Sequence, residues 1–353
     1  MSGIYWNKVK KLLRAHKIKR FFRLFLYNKG LSHKKIFHKK LAILHDKFFS
    51  GELSNSKIFQ KRCCVICGLN DFQFLFTTPA NFDFMKCNIC GMVIMNPIPT
   101  PECLDKLYNS EDMAFNLGGA SIHEDVQPKG EDDLKFTTKY IDSGRLLDIG
   151  TGGGGFLLNA RKCFICEGVE INSIHAEKAK NAGLTIHNIY SNDFDPSYKF
   201  DIVTMLQVIE HLPDPNTVIE DAYRLLKNEG YLYIACPNYE SKSMEIFKEK
   251  HRHVSTFGHI NLYSPKSLLR SIEKNGFNCV DITTYSSDIE LHDLFYFYLK
   301  NKNFSHRMAN YNPSFFQLFT LLYSPFRKKF DKKIISKNKG SYVRAIFIKQ
   351  RNN

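Results

Sequence analysis

Arg145-Leu146-Leu147-Asp148-Ile149-Gly150-Thr151-Gly152-Gly153-Gly154-Gly155 decides the fold. A strand of the buried type, Arg145 to Gly150, runs into a glycine-rich turn, and Phe156 to Lys162 reads as the helix that leaves it. Glycines at 150, 152 and 154 let the backbone turn tightly and approach a ligand with no Cβ in the way. The next strand, Ile165 to Glu170, ends on a carboxylate 20 residues after Gly150. A carboxylate there accepts both hydroxyls of a ribose, which an adenosine-bearing cofactor requires. A plain strand–turn–helix would need the turn but not the acid, so the pair favours cofactor binding.

Downstream, strands and helices alternate, which argues for a parallel α/β sheet. A short strand at Thr185 to Ile189 leads to Asn192-Asp193-Phe194, and Phe200 to Leu206 is the fourth strand. Asn216 to Leu226 carries an apolar stripe at helical spacing: Val218, Ile219, Ala222, Leu225 and Leu226. Gly230 to Ala235 is the fifth strand. Gly258 to Pro265 precedes a helix to Lys274 and a strand from Phe277 to Thr284, and Gly340 to Gln350 supplies a last strand.

Leu147 to Gly154 resembles the first motif of class I S-adenosylmethionine-dependent methyltransferases, in which an acidic residue precedes G-x-G-x-G. Phe200 to Asp214, containing Glu210-His211-Leu212-Pro213-Asp214, is similar to the fourth strand and following turn of the small-molecule members. The resemblance covers residues 60–285 and the final strand. It implies a Rossmann-like class I methyltransferase sheet with helices on both faces. S-adenosylmethionine would be held at its methionine end by Asp148, Gly150, Gly152 and Gly154, and at its ribose by Glu170. Asn192 and Asp193 would lie at the adenine, and Gln207 beside the cofactor. Methyl transfer from a sulfonium is an in-line displacement that mainly requires alignment. A hydroxyl acceptor also needs a base, and His211, His259 and Glu210 stand at strand carboxyl ends, where ligands bind in such sheets. His211 and Glu210 serve equally well as anchors of the turn, and His251 and His253 rank lower. The run Leu206-Gln207-Val208-Ile209 lacks the Pro-Pro-Tyr of amino-methylating nucleic-acid enzymes. No Pro-Cys dipeptide stands there for a base-carbon methylase.

Upstream, Cys64-Val65-Ile66-Cys67-Gly68 and Cys87-Asn88-Ile89-Cys90-Gly91 are two C-x-x-C knuckles separated by strand-like sequence. Their spacing suits four thiolates around one structural Zn²⁺, each following glycine allowing the positive φ of a knuckle. With all four positions filled by sulfur, no open site remains for catalysis. Asn96-Pro97-Ile98-Pro99-Thr100-Pro101 cannot continue a strand and marks a boundary, after which Thr100 caps a helix to Tyr108. Residues 109–133 read as an acidic loop or lid. A proline-punctuated link of this kind, joining zinc knuckles to a methyltransferase fold, resembles enzymes of bacterial surface-polysaccharide clusters. The expected acceptor is therefore a sugar, nucleotide-sugar or lipid-linked glycan.

The net charge of +15 belongs to the ends: residues 1–62 hold 17 basic and 2 acidic side chains, residues 63–299 hold 20 and 32, and residues 300–353 hold 13 and 1. Trp6 to Tyr27 and Pro313 to Lys333 mix basic with large apolar residues, as segments lying on an anionic membrane surface do. Docking on the chain's own domain, with solvated lysines, gives the same pattern. No apolar run of about 18 residues occurs and the N-terminus has no secretory pattern, so the expected location is cytoplasmic, peripheral on the inner face of the membrane. The expected organisation is a basic segment 1–62, zinc ribbon 63–96, linker helix and lid 97–140, methyltransferase domain 141–286, basic-apolar insertion 287–339 and final strand 340–353. An RNA methyltransferase gripping phosphates through its ribbon and basic ends is the rival enzyme, with nucleic acid disfavoured by the active-site motifs. A zinc scaffold without turnover is the non-enzymatic rival.

Overall fold

The computed structural model describes residues 58–78, 82–108, 126–251, 253–254, 258–286, 332 and 334–351. The segments expected at Trp6–Tyr27, at 109–125 and at 313–331 lie outside the described residues. Gly51–Ser286 and Ile334–Asn353 group into one compact unit.

Along the chain, β1 (Phe59–Gln60), β2 (Phe72–Thr77), β3 (Asp83–Cys87), β4 (Val93–Met95) and β5 (Ile98–Pro99) precede α1 (Pro101–Tyr108) and α2 (Glu131–Thr137). Then follow β6 (Arg145–Ile149), α3 (Gly155–Ala160), β7 (Ile165–Val169), α4 (Ser173–Asn181), β8 (Thr185–His187) and β9 (Phe200–Leu206). The remainder is α5 (Pro215–Leu225), β10 (Leu226–Pro237), α6 (Lys242–Phe247), β11 (Asn261–Leu262), α7 (Pro265–Glu273), β12 (Phe277–Tyr285) and β13 (Tyr342–Lys349).

The main sheet has the order β12-β13-β10-β9-β6-β7-β8. β6 pairs in parallel with β7 and β9, β7 with β8, and β9 with β10. β13 is antiparallel to both β10 and β12, between which it is inserted. Successive side chains of a strand point to opposite faces, and here each face meets its own core. Leu147, Val203 and Ile234 pack with Ile219, Ala222, Leu225, Leu268 and Ile272 of α5 and α7. Leu146, Ile202 and Ala235 pack with Phe136, Leu157, Ala176 and Ala179 of α2, α3 and α4. Strands covered on both faces need near-continuous apolar sequence, which Leu146-Leu147 and Ile202-Val203 supply. Caps fix where the covering helices start: Asp214 accepts from the Asn216 N–H before α5, and Ser264 and Ser267 bond reciprocally at the start of α7.

The cysteine-bearing segment forms a second sheet, β11-β4-β3-β2. Its fourth strand, Asn261–Leu262, comes from the segment just before α7 and pairs with Val93–Ile94. Two boundaries read from sequence shift as a result. The proline-rich stretch does continue as a strand, because Ile98–Pro99 pairs at an edge with Phe59–Gln60, where a proline's missing N–H costs no ladder bond. Arg62, assigned above to the basic end, is built into the ribbon's junction with the main sheet. Its guanidinium donates to the carbonyls of Met95, Pro213 and Ile260 and to Asn261 Oδ1 at 2.7–3.2 Å. Burial pulls its pKa down to about 10, so it stays charged at neutral pH. Residues 131–133, read as the end of the acidic loop, begin the helix Glu131–Thr137, whose Phe136 joins the core.

Candidate functional site

The turns at the carboxyl ends of β6 and β7 pack together, the Gly150 and Thr151 N–H groups donating to the Val169 carbonyl. Gly150 has φ +74, and a Cβ there would lie 2.5 Å from Val208 Cγ2, so only glycine lets the turn close against the segment after β9. Gly152 has φ +56 with nothing within 4 Å of its Cβ position, which leaves open space above the turn. Its N–H donates to Glu170 Oε2 at 2.6 Å, and the Asn172 N–H donates to Oε1 at 2.8 Å. Each carboxylate oxygen keeps lone-pair capacity for a ribose hydroxyl. The open turn beside a held carboxylate fits S-adenosylmethionine, whose ribose Glu170 would hold.

Asp148 is 3% exposed, and Thr204 Oγ1 donates to its Oδ1 at 2.6 Å. Burial pushes its carboxyl up to about 7, against the pull of the Thr204 and Thr151 hydroxyls. The native state therefore holds a proton there between about pH 4 and 7 that the unfolded chain has lost, so this group's contribution to stability falls as pH rises through that window. Asp148→Asn removes the penalty. The variant is expected to resist denaturant better than wild type at pH 8, with the gap closing toward pH 4, and to bind S-adenosylmethionine more weakly. Equal stability at pH 8 in urea titrations would show that the buried carboxyl carries no such cost.

Asn192 and Asp193 sit in a 3-10 turn, Ser191–Asp193, after β8. Both are exposed, and Asn192 Nδ2 donates to Asp193 Oδ1 at 3.3 Å. The turn is tied down by Ser191 Oγ on Asp221 and by Arg224 on the Ser191 carbonyl. Gln207 has φ +59 and is exposed at the end of β9. Its backbone N–H and side-chain amide both donate to the Ala235 carbonyl, at 2.7 and 3.3 Å.

Beyond β9, Glu210 and His211 occupy the 3-10 turn Ile209–His211. The structure brings His259 to them: His211 Nε2 and His259 Nε2 each lie 4.0 Å from Glu210 Oε1, and the two rings are 4.7 Å apart. His211 Nδ1 is 2.6 Å from the Gly258 carbonyl and His259 Nδ1 is 2.8 Å from the His253 carbonyl. A carbonyl only accepts, so both Nδ1 atoms carry the proton and both Nε2 atoms present a lone pair when the rings are neutral. Glu210 is 2% exposed, and neither of its oxygens has a hydrogen-bond partner among the described residues. Burial pushes Glu210 up to about 8 and His211 down to about 4, so both are predominantly uncharged at neutral pH.

His253 and His251, ranked lower from sequence, extend the same row of imidazoles. His253 lies 5.6 Å from His259 and 4.9 Å from His251, ring to ring. Tyr342, at the start of β13, reaches His253 Nε2 at 3.2 Å, a neighbour that nothing in the local sequence signals. Ile260 N–H donates to the Glu210 carbonyl, and Asn261 Nδ2 donates to the carbonyls of Ile209 and Leu212. Because β11 belongs to the ribbon sheet, the ribbon directly holds the turn bearing Glu210 and His211.

In the ribbon, one ligand atom from each of Cys64, Cys67, Cys87 and Cys90 lies within 4.8 Å of all the others, with 3.3 Å between the Cys64 and Cys90 sulfurs and 3.6 Å between those of Cys67 and Cys87. Zinc–sulfur bonds of about 2.3 Å in a tetrahedron place sulfurs about 3.8 Å apart, so the four fit one Zn²⁺. Gly68 and Gly91 have φ +73 and +78, and their N–H groups close each knuckle on the carbonyls of Cys64 and Cys87. Cys63 is exposed and outside the cluster.

A Rossmann-like sheet with a glycine turn, a carboxylate held beside it and a second polar cluster is the architecture of enzymes that use a nucleoside cofactor. The family described as "Methyltransferase domain" matches residues 123–282. A ubiquinone biosynthesis O-methyltransferase of Glaesserella parasuis is 28% identical over 163 residues, 40% of this chain and 68% of that protein. One of the same name from Haemophilus ducreyi is 34% identical over 109 residues, 27% of this chain and 45% of the other. A solved SAM-dependent methyltransferase of Thermotoga maritima, described as a possible histamine N-methyltransferase, is 19% identical, covers 70% of this chain and 98% of its own, and superposes with a TM-score of 0.42. Residues 123–282 are a methyltransferase domain of the S-adenosylmethionine-dependent kind. Among the described residues, no helix is long and apolar enough to cross a membrane.

Proposed function

We propose that this enzyme O-methylates a hydroxyl of a sugar, a nucleotide-sugar or a lipid-linked glycan of surface-polysaccharide biosynthesis, and that its ribbon holds one structural Zn²⁺. The observation that carries the O-methylation is the pair of imidazoles with fixed Nδ1–H groups, whose Nε2 atoms converge beside Glu210 in the turn after β9. When bound, S-adenosylmethionine supplies an electrophilic methyl carbon. Held by the glycine turn and Glu170, it would let an acceptor oxygen form the new C–O bond as the S–C bond breaks with its pair left on sulfur. The hydroxyl proton passes to Nε2 of His211 or His259, whose Nδ1 holds the ring's own proton on a backbone carbonyl. The glycan acceptor is supported by the arrangement of zinc knuckles, proline link and transferase body. The basic ends support work at an anionic membrane surface.

A phenolic hydroxyl is the second reading, favoured by the name "Ubiquinone biosynthesis O-methyltransferase" borne by the relatives. Methyl-labelled cofactor offered with nucleotide-sugars, glycan lipids and catechols separates the two. Label is expected in a sugar oxygen, with turnover reduced by about a hundredfold or more in His259→Ala, the lower end of the range for general-base loss. Label in the catechol alone would replace the glycan reading with the phenolic one.

A further inference from the structure

We propose that Glu210, His211 and His259 bind a divalent transition-metal cation, separately from the zinc of the ribbon. The donor set is two imidazole nitrogens and one carboxylate, the set that suits Fe²⁺, Co²⁺, Zn²⁺ or Mn²⁺ when further coordination positions are left open. One ligand atom from each residue lies within 4.8 Å of the others, and Glu210 Oε1 is 4.0 Å from both Nε2 atoms. A triangle with sides of 4.0, 4.0 and at most 4.8 Å encloses a point about 2.5 Å from each corner, within about half an ångström of ordinary metal–nitrogen and metal–oxygen bonds.

Three further features fit a cation better than a packed core. Glu210 is buried with both oxygens lacking a hydrogen-bond partner among the described residues, a costly arrangement that a cation between the three groups would relieve. Both rings donate Nδ1–H to backbone carbonyls, at 2.6 and 2.8 Å. That is how metal-ligating histidines are oriented and how their Nε2 is made the donor to the metal. The backbone carrying these ligands is braced by the Ile260 N–H on the Glu210 carbonyl and by Asn261 on the carbonyls of Ile209 and Leu212. The site is therefore preorganised rather than gathered on binding. The imidazoles are only about 15% exposed, so few positions remain for other ligands. An acceptor hydroxyl taking one of them would be acidified by the cation, which would then do what a free imidazole base does otherwise. That last role rests on the acceptor lying at this end of the sheet, as proposed above. The cation site itself does not.

The full chain, with its ribbon loaded with zinc, is titrated with Co²⁺ and followed by visible absorption. One further equivalent is expected, with weak d–d bands and no sulfur-to-cobalt charge transfer. Glu210→Gln and His259→Ala are each expected to weaken Co²⁺ binding at least tenfold, while far-ultraviolet circular dichroism and S-adenosylmethionine affinity stay as in wild type. Absence of the extra equivalent, appearance of the charge-transfer band, or unchanged Co²⁺ affinity in both well-folded variants overturns the proposal. Methylation at the full rate by cation-free protein would overturn the cation's acidifying role and leave the O-methylation reading standing.

Discussion

Glu170→Ala is expected to weaken S-adenosylmethionine binding by at least a hundredfold in isothermal titration. Hydrogen bonds to a charged group contribute about 1.5–3 kcal/mol each, and two ribose hydroxyls would lose such a partner, which makes the loss at least two decades. The same carboxylate receives the N–H groups of Gly152 and Asn172, so its removal also loosens the glycine turn that must lie against the cofactor. Glu170→Gln keeps one acceptor oxygen but turns an amide NH₂ toward a backbone N–H. It should fall between wild type and alanine. Undiminished binding in Glu170→Ala would sink the placement of the ribose.

The second large effect is expected far from the cofactor. Cys87→Ser should lower methyl transfer by about a hundredfold while S-adenosylmethionine affinity changes less than threefold. Misplacing a catalytic group by about 1 Å costs on the order of a hundredfold, and the ribbon is what places the acceptor-side turn. β11 pairs with β4, the Met95 N–H donates to the Ile260 carbonyl, and Ile260 in turn bonds the Glu210 carbonyl. Arg62 clamps the same junction through Met95, Pro213, Ile260 and Asn261. Loss of the proposed zinc would release the knuckle that follows β3 and, through β4, the strand that fixes His259. Cys63→Ser, at an exposed cysteine outside the cluster, is the control and should leave both quantities unchanged. A parallel loss of cofactor affinity in Cys87→Ser would mean the ribbon supports the whole sheet rather than the acceptor turn.

The elements carried by contiguous patterns were legible. Leu146-Leu147 before a run of glycines, the stripe Ile219, Ala222, Leu225 and the two C-x-x-C-G knuckles each state their local structure within a dozen residues. The final strand was legible over Gly340 to Gln350 and forms at Tyr342–Lys349, but its insertion between β10 and β12 in the reverse direction was not. The proline stretch was misread because proline forbids a central strand, whereas Ile98–Pro99 is a two-residue edge pair. Asn261–Leu262 was missed as a ribbon strand because two residues carry no periodicity, and its partner lies more than 160 residues earlier.

By itself, the sequence determined that this chain folds a nucleoside-binding α/β sheet behind two cysteine knuckles, since periodicity, glycine placement and ligand spacing act over short stretches of chain. It also named Glu210, His211 and His259 as residues at strand carboxyl ends, without bringing them together. Only the tertiary structure decided that they converge within 4.8 Å, that His253, His251 and Tyr342 continue the row, and that Arg62 welds ribbon to sheet. Those contacts join segments separated by tens to hundreds of residues. They exist because burying both faces of the sheet draws these loops over its edge, where their polar groups must find one another in place of water.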